Sequence, residues 1–413
     1  MNGEVYVGID IGSSSAVCVI AEVDEEGVLH VTGAGQAPTE GSVFEGVTVD
    51  LHGAEEAILE AVEEAESISS WKVTDAAVSL SGQHVRGFPG RGTVNIERED
   101  AFVTGKVTED DIQDATETAQ LIKLPRDSMV LRTEKSGFTI DGSALLTRPP
   151  IGLRAERLTA DIYMITADRT AVLNLQQVMK DTGINVNAIY PSASASARSV
   201  LTRDEKDMGV VLVDIGAETT DIAVYYSGAL AHLAVLPVGG SSVTRAVQQI
   251  RIPGREAERL KREVADISRG KTDGGKITVS TFGGRSTVPI DQKQVNEIIY
   301  KSVCSVLGDI LCELRQAGIQ ESDLPAGMVL CGGSANLTGI ASAASSVLGI
   351  PVEVGKPGGM DFSSSLIENP EFAAAVGLVL LMQEEENSLS ALTGTNPVQQ
   401  LFKSVKKWMN KLR

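Results

Sequence analysis

The chain has 413 residues and a net charge of −19, with 42% hydrophobic and 4% aromatic residues. That length predicts about two or three domains, and the composition favours a turn-rich α/β protein over a disordered one. So acidic a chain is not expected to bind nucleic acid. Its four cysteines form no Cys-x-x-Cys pair and all occur among apolar residues, so we expect buried, reduced thiols.

The first predicted element is a hairpin of two buried strands at residues 5–20. Its turn follows Asp10 and consists of small residues, namely Gly12, Ser13, Ser14 and Ser15. Backbone N–H groups in such a turn can approach an anion closely, so the turn is a candidate phosphate-binding site. Asp10 is a candidate ligand of Mg²⁺, which keeps most of its water and takes few protein ligands. The alternative is that Asp10 only caps its own turn.

The elements that follow are typical of half a doubly wound α/β unit, interrupted by a small α+β insertion at roughly residues 83–161. No basic segment of a secretory signal precedes the first strand, so we expect the chain to stay in the cytoplasm. The predicted elements are a helix at 54–67, a strand at 73–80, a helix at 110–122, strands at 129–134, 137–140 and 159–166, a helix at 174–182, a strand at 184–189 and a small-residue helix at 191–201 that crosses to the second half.

A second hairpin at residues 209–225 repeats the plan of the first. Asp214 takes the place of Asp10 as a candidate Mg²⁺ ligand, and the turn again consists mainly of small residues, Gly216, Ala217, Glu218 and Thr219. Repetition of one motif predicts two related half-domains that face each other across a cleft and hold an anion between them. Glycine turns between apolar strands are common, and a plain pair of hairpins is the alternative.

Three further groups complete the predicted cleft. Gly239 and Gly240 begin a helix after the second hairpin. Glu258 and Lys261 share one face of a helix predicted at 255–268, where they suit a ribose and a base; an ordinary ion pair is the alternative. A strand at 329–330 then runs into the glycine turn Gly332, Gly333, Ser334 and Asn336, where a flat base can lie against the backbone. The remaining predicted elements are strands at 276–280 and 286–290 and helices at 293–316, 340–348 and 371–382.

The end of the chain has the pattern of an amphipathic helix. Five basic residues and no acidic residue lie within 396–413, after a polar linker at 383–397. Helical periodicity places the apolar residues on one stripe, so the helix is expected to lie on an anionic membrane surface and not to cross it. Packing against the protein body or a partner is the alternative. The residues of the stripe are Val398, Leu401, Phe402, Val405, Trp408, Met409 and Leu412.

The order of these motifs resembles that of the actin, Hsp70 and sugar-kinase superfamily, and within it the FtsA family of bacterial cell-division proteins. Stretches that carry the FtsA resemblance are 78–85, 148–153, 201–206, 237–244, 255–261 and the amphipathic tail. The resemblance implies an α/β, two-lobed actin-like (ribonuclease H-like) ATPase fold with a small α+β subdomain inserted in the first lobe and a C-terminal amphipathic helix. The implied subdomains are 1A at 1–82 and 162–195, 1C at 83–161, 2A at 196–244 and 301–365, and 2B at 245–300, followed by a helix at 366–382 that returns to the first lobe, the linker at 383–397 and the membrane helix at 398–413.

The resemblance also implies a function. An FtsA-like protein binds ATP with Mg²⁺, polymerises and ties the ring of the tubulin-like protein FtsZ to the cytoplasmic face of the membrane at the septum. The FtsZ C-terminal peptide would bind at 2B and the adjoining helix, and later division proteins at 1C. Asp221 matches the residue that polarises the attacking water. Ser15 replaces a common lysine and Glu218 a common glycine, so we expect at most a slow ATPase. The alternatives are a small-molecule kinase of the same fold and an FtsA-like pilus-assembly adaptor.

Overall fold

A computed structural model describes residues 4–97, 104–143, 146, 148–268, 275–362 and 367–393. The predicted membrane helix and residues 394–397 of the predicted linker lie outside these ranges. The two hairpins lie at the centres of two separate sheets, one in each lobe. The first strand of each hairpin, Val5–Ile11 in one and Val210–Ile215 in the other, has an antiparallel neighbour on one side and a parallel neighbour on the other. The two turns therefore occupy corresponding places in the two sheets.

The sheet of the first lobe has apolar side chains on both faces, as a central α/β sheet requires. Ile9 and Cys18 pack toward the helix Leu51–Ile68, whereas Tyr6 and Val19 pack toward the helix Ala373–Thr393. Further helices of this lobe are Arg169–Asp181 and Ser192–Val200, whereas the short helix Arg203–Met208 packs on the strand Thr220–Tyr226 of the second sheet. In spatial order the strands described for this sheet are Asn185–Pro191, Asp75–Leu80, Val5–Ile11, Ser15–Val23, Leu29–Pro38 and Asp361–Phe362, and a two-stranded ribbon, Val43–Phe44 with Val47–Thr48, lies beside it.

The sheet of the second lobe is covered by helices in the same way. Its described strands, in spatial order, are Ala229–Leu236, Thr220–Tyr226, Val210–Ile215, Met328–Cys331 and Val352–Val354. A small hairpin of Lys276–Ser280 and Thr287–Asp291 projects from this lobe. The helices are Gly240–Gln248, Gly254–Arg259, Gln292–Gln316 and Ile340–Leu348, with a π-turn at Leu260–Val264 and short 3₁₀ turns at Phe282–Gly284, Glu321–Asp323 and Gly333–Asn336.

In its described residues, the insertion is a three-stranded antiparallel sheet with one helix packed on it. The helix Glu109–Ala119 begins with a capping box, in which Thr108 and Asp111 satisfy each other's backbone N–H groups. It lies directly on the edge strand Arg86–Asn95, because Gly90 and Gly92 leave no Cβ between that strand and the helix backbone. The strands in spatial order are Arg86–Asn95, Arg157–Asp168 and Ser128–Ile140.

The small-residue helix Ser192–Val200 joins the lobes, as predicted. Its Ala193 and Ala197 belong to one apolar cluster with Leu212 and Ala223 of the second sheet. The last helix packs closely against it: the backbone of Gly377 approaches the carbonyl of Ala195 so nearly that a Cβ would collide with it. Small residues on both helices therefore permit an approach that larger ones would prevent.

Three consecutive glutamates fasten the last helix to different parts of the first lobe and the insertion. Glu384 pairs with Arg198, 2.6 Å away, and Glu385 pairs with Arg132. Glu386 accepts a hydrogen bond of 2.6 Å from the hydroxyl of Tyr6. Successive helical residues point about 100° apart, which is why neighbours in sequence reach three separate elements.

Several predicted elements differ from the structure. The last helix, preceded by a 3₁₀ turn at Pro370–Phe372, continues to Thr393, so residues 383–393 are helical and not part of a linker. The helix predicted at 255–268 changes to a π-turn at Leu260 and ends at Val264. The strands predicted at 129–134 and 137–140 are one strand interrupted by two bulges. The strand Ala229–Leu236 was not predicted, and Cys312 is exposed where a buried thiol was expected.

Adding a single methyl group at two glycines is expected to have opposite effects. Gly377→Ala should lower the free energy of unfolding by about 1–3 kcal/mol, because the new Cβ forces the last helix away from Ala195. Gly308→Ala should raise it by about 0.5–1 kcal/mol, since Gly308 lies inside the helix Gln292–Gln316 with open space around it. Urea denaturation of both variants measures the difference. Equal midpoints would contradict the close helix packing.

Candidate functional site

Two adjoining cavities form the candidate site. The smaller, of about 120 Å³, is lined by residues of both lobes, and the larger, of about 1000 Å³, is lined by residues of the second lobe and by Asn369. They share the lining residues Glu258, Lys261, Arg262, Gly333 and Ser334, so they form one continuous cleft. Three predicted site residues line only the larger cavity, namely Gly239, Gly240 and Asn336. The predicted site residues that line only the smaller cavity are Asp10, Gly12, Ser13, Ser14, Ser15, Asp214, Gly216, Ala217, Thr219, Asp221 and Gly332.

The two small-residue turns have the same backbone geometry. The Gly12 N–H donates to the carbonyl of Ser15 at 3.0 Å, and the Gly216 N–H donates to the carbonyl of Thr219 at 2.9 Å. Ser13 and Thr219 line the same cavity, from opposite lobes. The repeat in the sequence is therefore a repeat in space, with two matched turns facing one crevice.

The second turn is held in place by the other predicted glycine segments. The carbonyl of Gly216 accepts hydrogen bonds from the Gly240 N–H at 2.9 Å and from Ser334 Oγ at 3.2 Å. A Cβ on Gly332 would collide with the carboxylate of Asp214. The backbone of Gly332 therefore lies so close to the end of the strand Val210–Ile215 that no side chain fits between them. Gly332 also has φ of +80°, a conformation that favours glycine.

One helix holds the two aspartates predicted to bind metal. Ser192 Oγ donates to Asp10 at 3.2 Å, and Ser196 Oγ donates to Asp214 at 2.6 Å. Ser192 and Ser196 are four residues apart, so they lie on one face of the helix that joins the lobes. Ser79 also donates to Asp10. The carboxylates of the two lobes are therefore oriented by adjacent turns of a single element.

A third carboxylate connects the lobes directly. Asp221 lies opposite Asp214 in the second hairpin. Ser81, from the first lobe, places its Oγ 2.8 Å from both carboxylate oxygens of Asp221 and 3.4 Å from the hydroxyl of Thr219. Opening the cleft would break these contacts.

The three aspartates have raised pKa values because they are buried together. Burial raises the pKa of Asp10. Burial, and then the charge of Asp10, raises the pKa of Asp214 to about 6. Burial, and then the charge of Asp214, raises the pKa of Asp221 to about 8. A cluster of carboxylates that resist ionisation together fits a place where a cation would be bound.

The donor set fits Mg²⁺ held largely through water. In the described ranges, no three His, Cys, Asp or Glu side chains come together closely enough to enclose a metal ion. Mg²⁺ does not require such a cage, because it commonly uses one or two carboxylates together with water and phosphate oxygens. Asp10 and Asp214 provide those carboxylates at the smaller cavity.

The predicted pair Glu258 and Lys261 lies where the two cavities meet. Lys261 Nζ lies 2.8 Å from Glu258, 3.1 Å from the carbonyl of Gly240 and 3.0 Å from the hydroxyl of Thr244. Thr244 in turn donates to Glu258. The pair is therefore part of a network that fixes the start of the helix Gly240–Gln248 against the wall of the cleft.

Glu218 is the predicted site residue that lines neither cavity. Its carboxylate lies 3.4 Å from Arg245, which partly balances the charge expected to approach a phosphate.

Sequence reasoning missed the supporting residues around the site. The sequence does contain a pattern from which Ser192 and Ser196 could have been predicted. In a helix with serine at every second position, two serines four residues apart lie on one face. The missed residues are Gln36, Ser79, Ser81, Ser192, Ser196, Arg262 and Glu371.

The seven residues of the predicted membrane stripe lie outside the described ranges. Among the helices that the structure does describe, none has both the length and the apolar character needed to cross a bilayer.

Comparison with known proteins adds family and fold. A family model described as cell division protein FtsA matches residues 211–377, and one described as the SHS2 domain inserted in FtsA matches residues 82–166. The second match overlaps the predicted insertion. Cell division protein FtsA of Neisseria meningitidis is 35% identical over 91% of this chain and 89% of its own length.

Solved structures show the same fold at low identity. The PilM-PilN type IV pilus biogenesis complex matches with a TM-score of 0.64 at 19% identity, covering 91% of this chain and 98% of the other. MreB5 of Spiroplasma citri bound to AMPPNP matches with a TM-score of 0.55 at 13% identity, covering 94% and 98%. The predicted two-lobed, actin-like α/β fold with an inserted subdomain is confirmed. From the insertion, the matched turns and the similarity along nearly its whole length, the chain belongs to the FtsA family of cell-division proteins.

Proposed function

We propose that this protein binds ATP with Mg²⁺ in the cleft between its lobes. The observation that carries the proposal is the pair of matched turns, whose small residues line one crevice from opposite lobes. A polyphosphate is the ligand that such a pair fits. The solved relative of similar fold that is bound to AMPPNP supports this assignment.

In this proposal each part of the cleft binds one part of the nucleotide. The turns Gly12–Ser15 and Gly216–Thr219 bind the phosphates, and Asp10 and Asp214 hold Mg²⁺ through water. Gly239 and Gly240 lie beside the phosphates, and the adenosine lies in the larger cavity. Glu258 binds the ribose, and Lys261 contacts the base through its aliphatic chain while its ammonium keeps its bonds to the cleft wall. The glycine turn completes that cavity with Gly332, Gly333, Ser334 and Asn336.

Asp221 is the proposed residue that polarises water for hydrolysis. With a pKa of about 8, it is largely protonated in the ligand-free protein at neutral pH and cannot accept a proton. When bound, Mg²⁺ supplies positive charge that lowers the pKa of nearby carboxyl groups. Turnover would therefore depend on the loaded cleft, which supports a slow ATPase.

The cellular role that we propose follows from the family. The protein polymerises on the cytoplasmic face of the membrane at the division septum and tethers the FtsZ ring there through the amphipathic tail. The C-terminal peptide of FtsZ would bind subdomain 2B and the adjoining helix Gln292–Gln316, and later division proteins would bind subdomain 1C. Filament formation is supported by a solved structure of similar fold, the MamK double helical filament.

Thermal unfolding with and without nucleotide tests the binding proposal. ATP with Mg²⁺ should raise the melting temperature, because a ligand that binds only the folded state stabilises it by mass action. Chelation of Mg²⁺ should reduce the increase. Asp214→Asn should remove the Mg²⁺-dependent part and keep the remainder, because the phosphate turns stay intact. No shift with ATP or ADP in the wild-type protein would overturn the proposal.

A further inference from the structure

The smaller cavity is lined by more acidic than basic side chains. Five carboxylates line it, and the cations among the described lining residues are Lys261 and Arg262. An ATP molecule adds several more negative charges at the same place. Mg²⁺ offsets part of that charge, so a protein cation with unused donors would have a large effect on affinity. The carboxylates are Asp10, Asp214, Asp221, Glu258 and Glu371.

Lys261 has its hydrogen-bonding capacity occupied. An ammonium group has three N–H donors. Lys261 Nζ lies within 3.1 Å of three acceptors, on Gly240, Thr244 and Glu258. To bind a phosphate it would have to leave one of them, and the network at the cleft wall would lose a member.

Arg262 is placed differently. Its side chain is 61% exposed, and its guanidinium lies 4.0 Å from Glu371, which is beyond hydrogen-bond distance. A guanidinium has five donors in a planar fork that matches phosphate oxygens. Arg262 therefore lines both cavities with most of its donors available.

The backbone directs these two cations to the cleft. Residues Leu260–Val264 form a π-turn, in which the N–H of Ala265 donates to the carbonyl of Leu260 at 2.8 Å. A π-turn changes the angular spacing of side chains and is frequent at functional sites. Here it lets the consecutive residues Lys261 and Arg262 both reach the cleft.

We propose that Arg262 binds the phosphates of the nucleotide and moves to them from Glu371. The proposal rests on the proposed ATP binding. Glu371 does not depend on Arg262, because it already accepts a hydrogen bond of 2.7 Å from Gln36. Gln36 also donates to Ser15 of the first phosphate turn at 2.9 Å. Arg262 thus leaves only a long ion pair, and Glu371 keeps its partner on the other lobe.

Isothermal titration of the full chain with ATP and Mg²⁺ tests this role. Arg262→Gln should weaken ATP binding by about tenfold or more, since a hydrogen bond to a charged group has at least that effect. Arg262→Lys should restore part of the loss, because it returns the charge without the fork. Arg285→Gln is the matched control: it removes the same charge from an exposed residue of the same lobe that lines neither cavity. It should bind ATP like the wild type.

The outcomes separate this inference from the function on which it rests. ATP binding by Arg262→Gln within about twofold of the wild type would overturn the role of Arg262 and leave ATP binding in place. An equal loss in Arg262→Gln and Arg285→Gln would also overturn it, because the effect would then come from overall charge. A wild-type protein that binds no ATP would overturn the proposed function itself.

Discussion

Asp221→Asn is expected to stabilise the ligand-free protein near neutral pH and to abolish any ATP hydrolysis. In the wild type, folding buries a carboxyl group whose pKa rises from 3.8 to about 8. A change of one in a pKa corresponds to about 1.4 kcal/mol between the protonation states, so the ionised unfolded chain is favoured by several kcal/mol at neutral pH. Asparagine keeps the shape of the side chain and removes that penalty.

The pH dependence of stability follows from the direction in which this pKa moves. The folded state binds more protons than the unfolded state between the unfolded pKa near 4 and the folded pKa near 8, so wild-type stability falls as pH rises through this range. Asp214, with a pKa of about 6, adds to the fall. Asp221→Asn should flatten it. Thermal unfolding from about pH 5 to about pH 8 measures the slope.

A second neutralised carboxylate provides the comparison for Asp221→Asn. Asp309→Asn makes the same substitution at an exposed position of the helix Gln292–Gln316 and should leave the slope unchanged. If Asp221→Asn melts at the wild-type temperature throughout the range, burial and the charge of Asp214 do not raise the pKa of Asp221 as the structure indicates.

Deletion of residues 396–413 is expected to abolish binding to anionic vesicles. Five basic residues near an anionic surface each contribute about 1 kcal/mol, and burial of the apolar stripe adds to that, so the loss should exceed roughly a thousandfold. Co-sedimentation with vesicles that contain anionic lipid measures it.

A point variant separates the apolar stripe from the charges of the tail. Trp408→Glu retains the length of the chain and should reduce binding strongly, because it places a charge in the stripe. Full-length protein should bind zwitterionic vesicles weakly. Equal sedimentation of the full-length and shortened proteins would refute the membrane role of the tail.

The phosphate turns could be predicted from sequence because their chemistry is local. Asp10 and Asp214, the glycines and the hydroxyl residues of each turn are contiguous, and the repeat of the motif indicated that the two turns face each other. The edge strand Arg86–Asn95 was not predicted, because its glycines and Pro89 are typical of loops. Those glycines are required by the helix Glu109–Ala119 that lies on the strand, and an edge strand tolerates proline.

The supporting residues of the site could not be predicted, because they depend on contacts between distant parts of the chain. Gln36 and Glu371 are separated by 335 positions and meet only after the last helix returns to the first lobe. Ser81 reaches Asp221 across 140 positions. Neither contact has a local pattern. The π-turn that directs Arg262 to the cleft is likewise a departure from helical periodicity, which is the pattern used to predict the helix.

The three glutamates that fasten the last helix would determine the orientation of the protein body relative to a membrane surface. Because the helix stays anchored to the body near residue 386 and continues to Thr393, only residues 394–397 separate it from the predicted membrane helix. Four extended residues reach about 14 Å at most. So short a connection would restrict rotation of the protein body relative to the membrane. The side of the first lobe that carries the end of the last helix would then face the lipid, and the opposite side would face the cytoplasm.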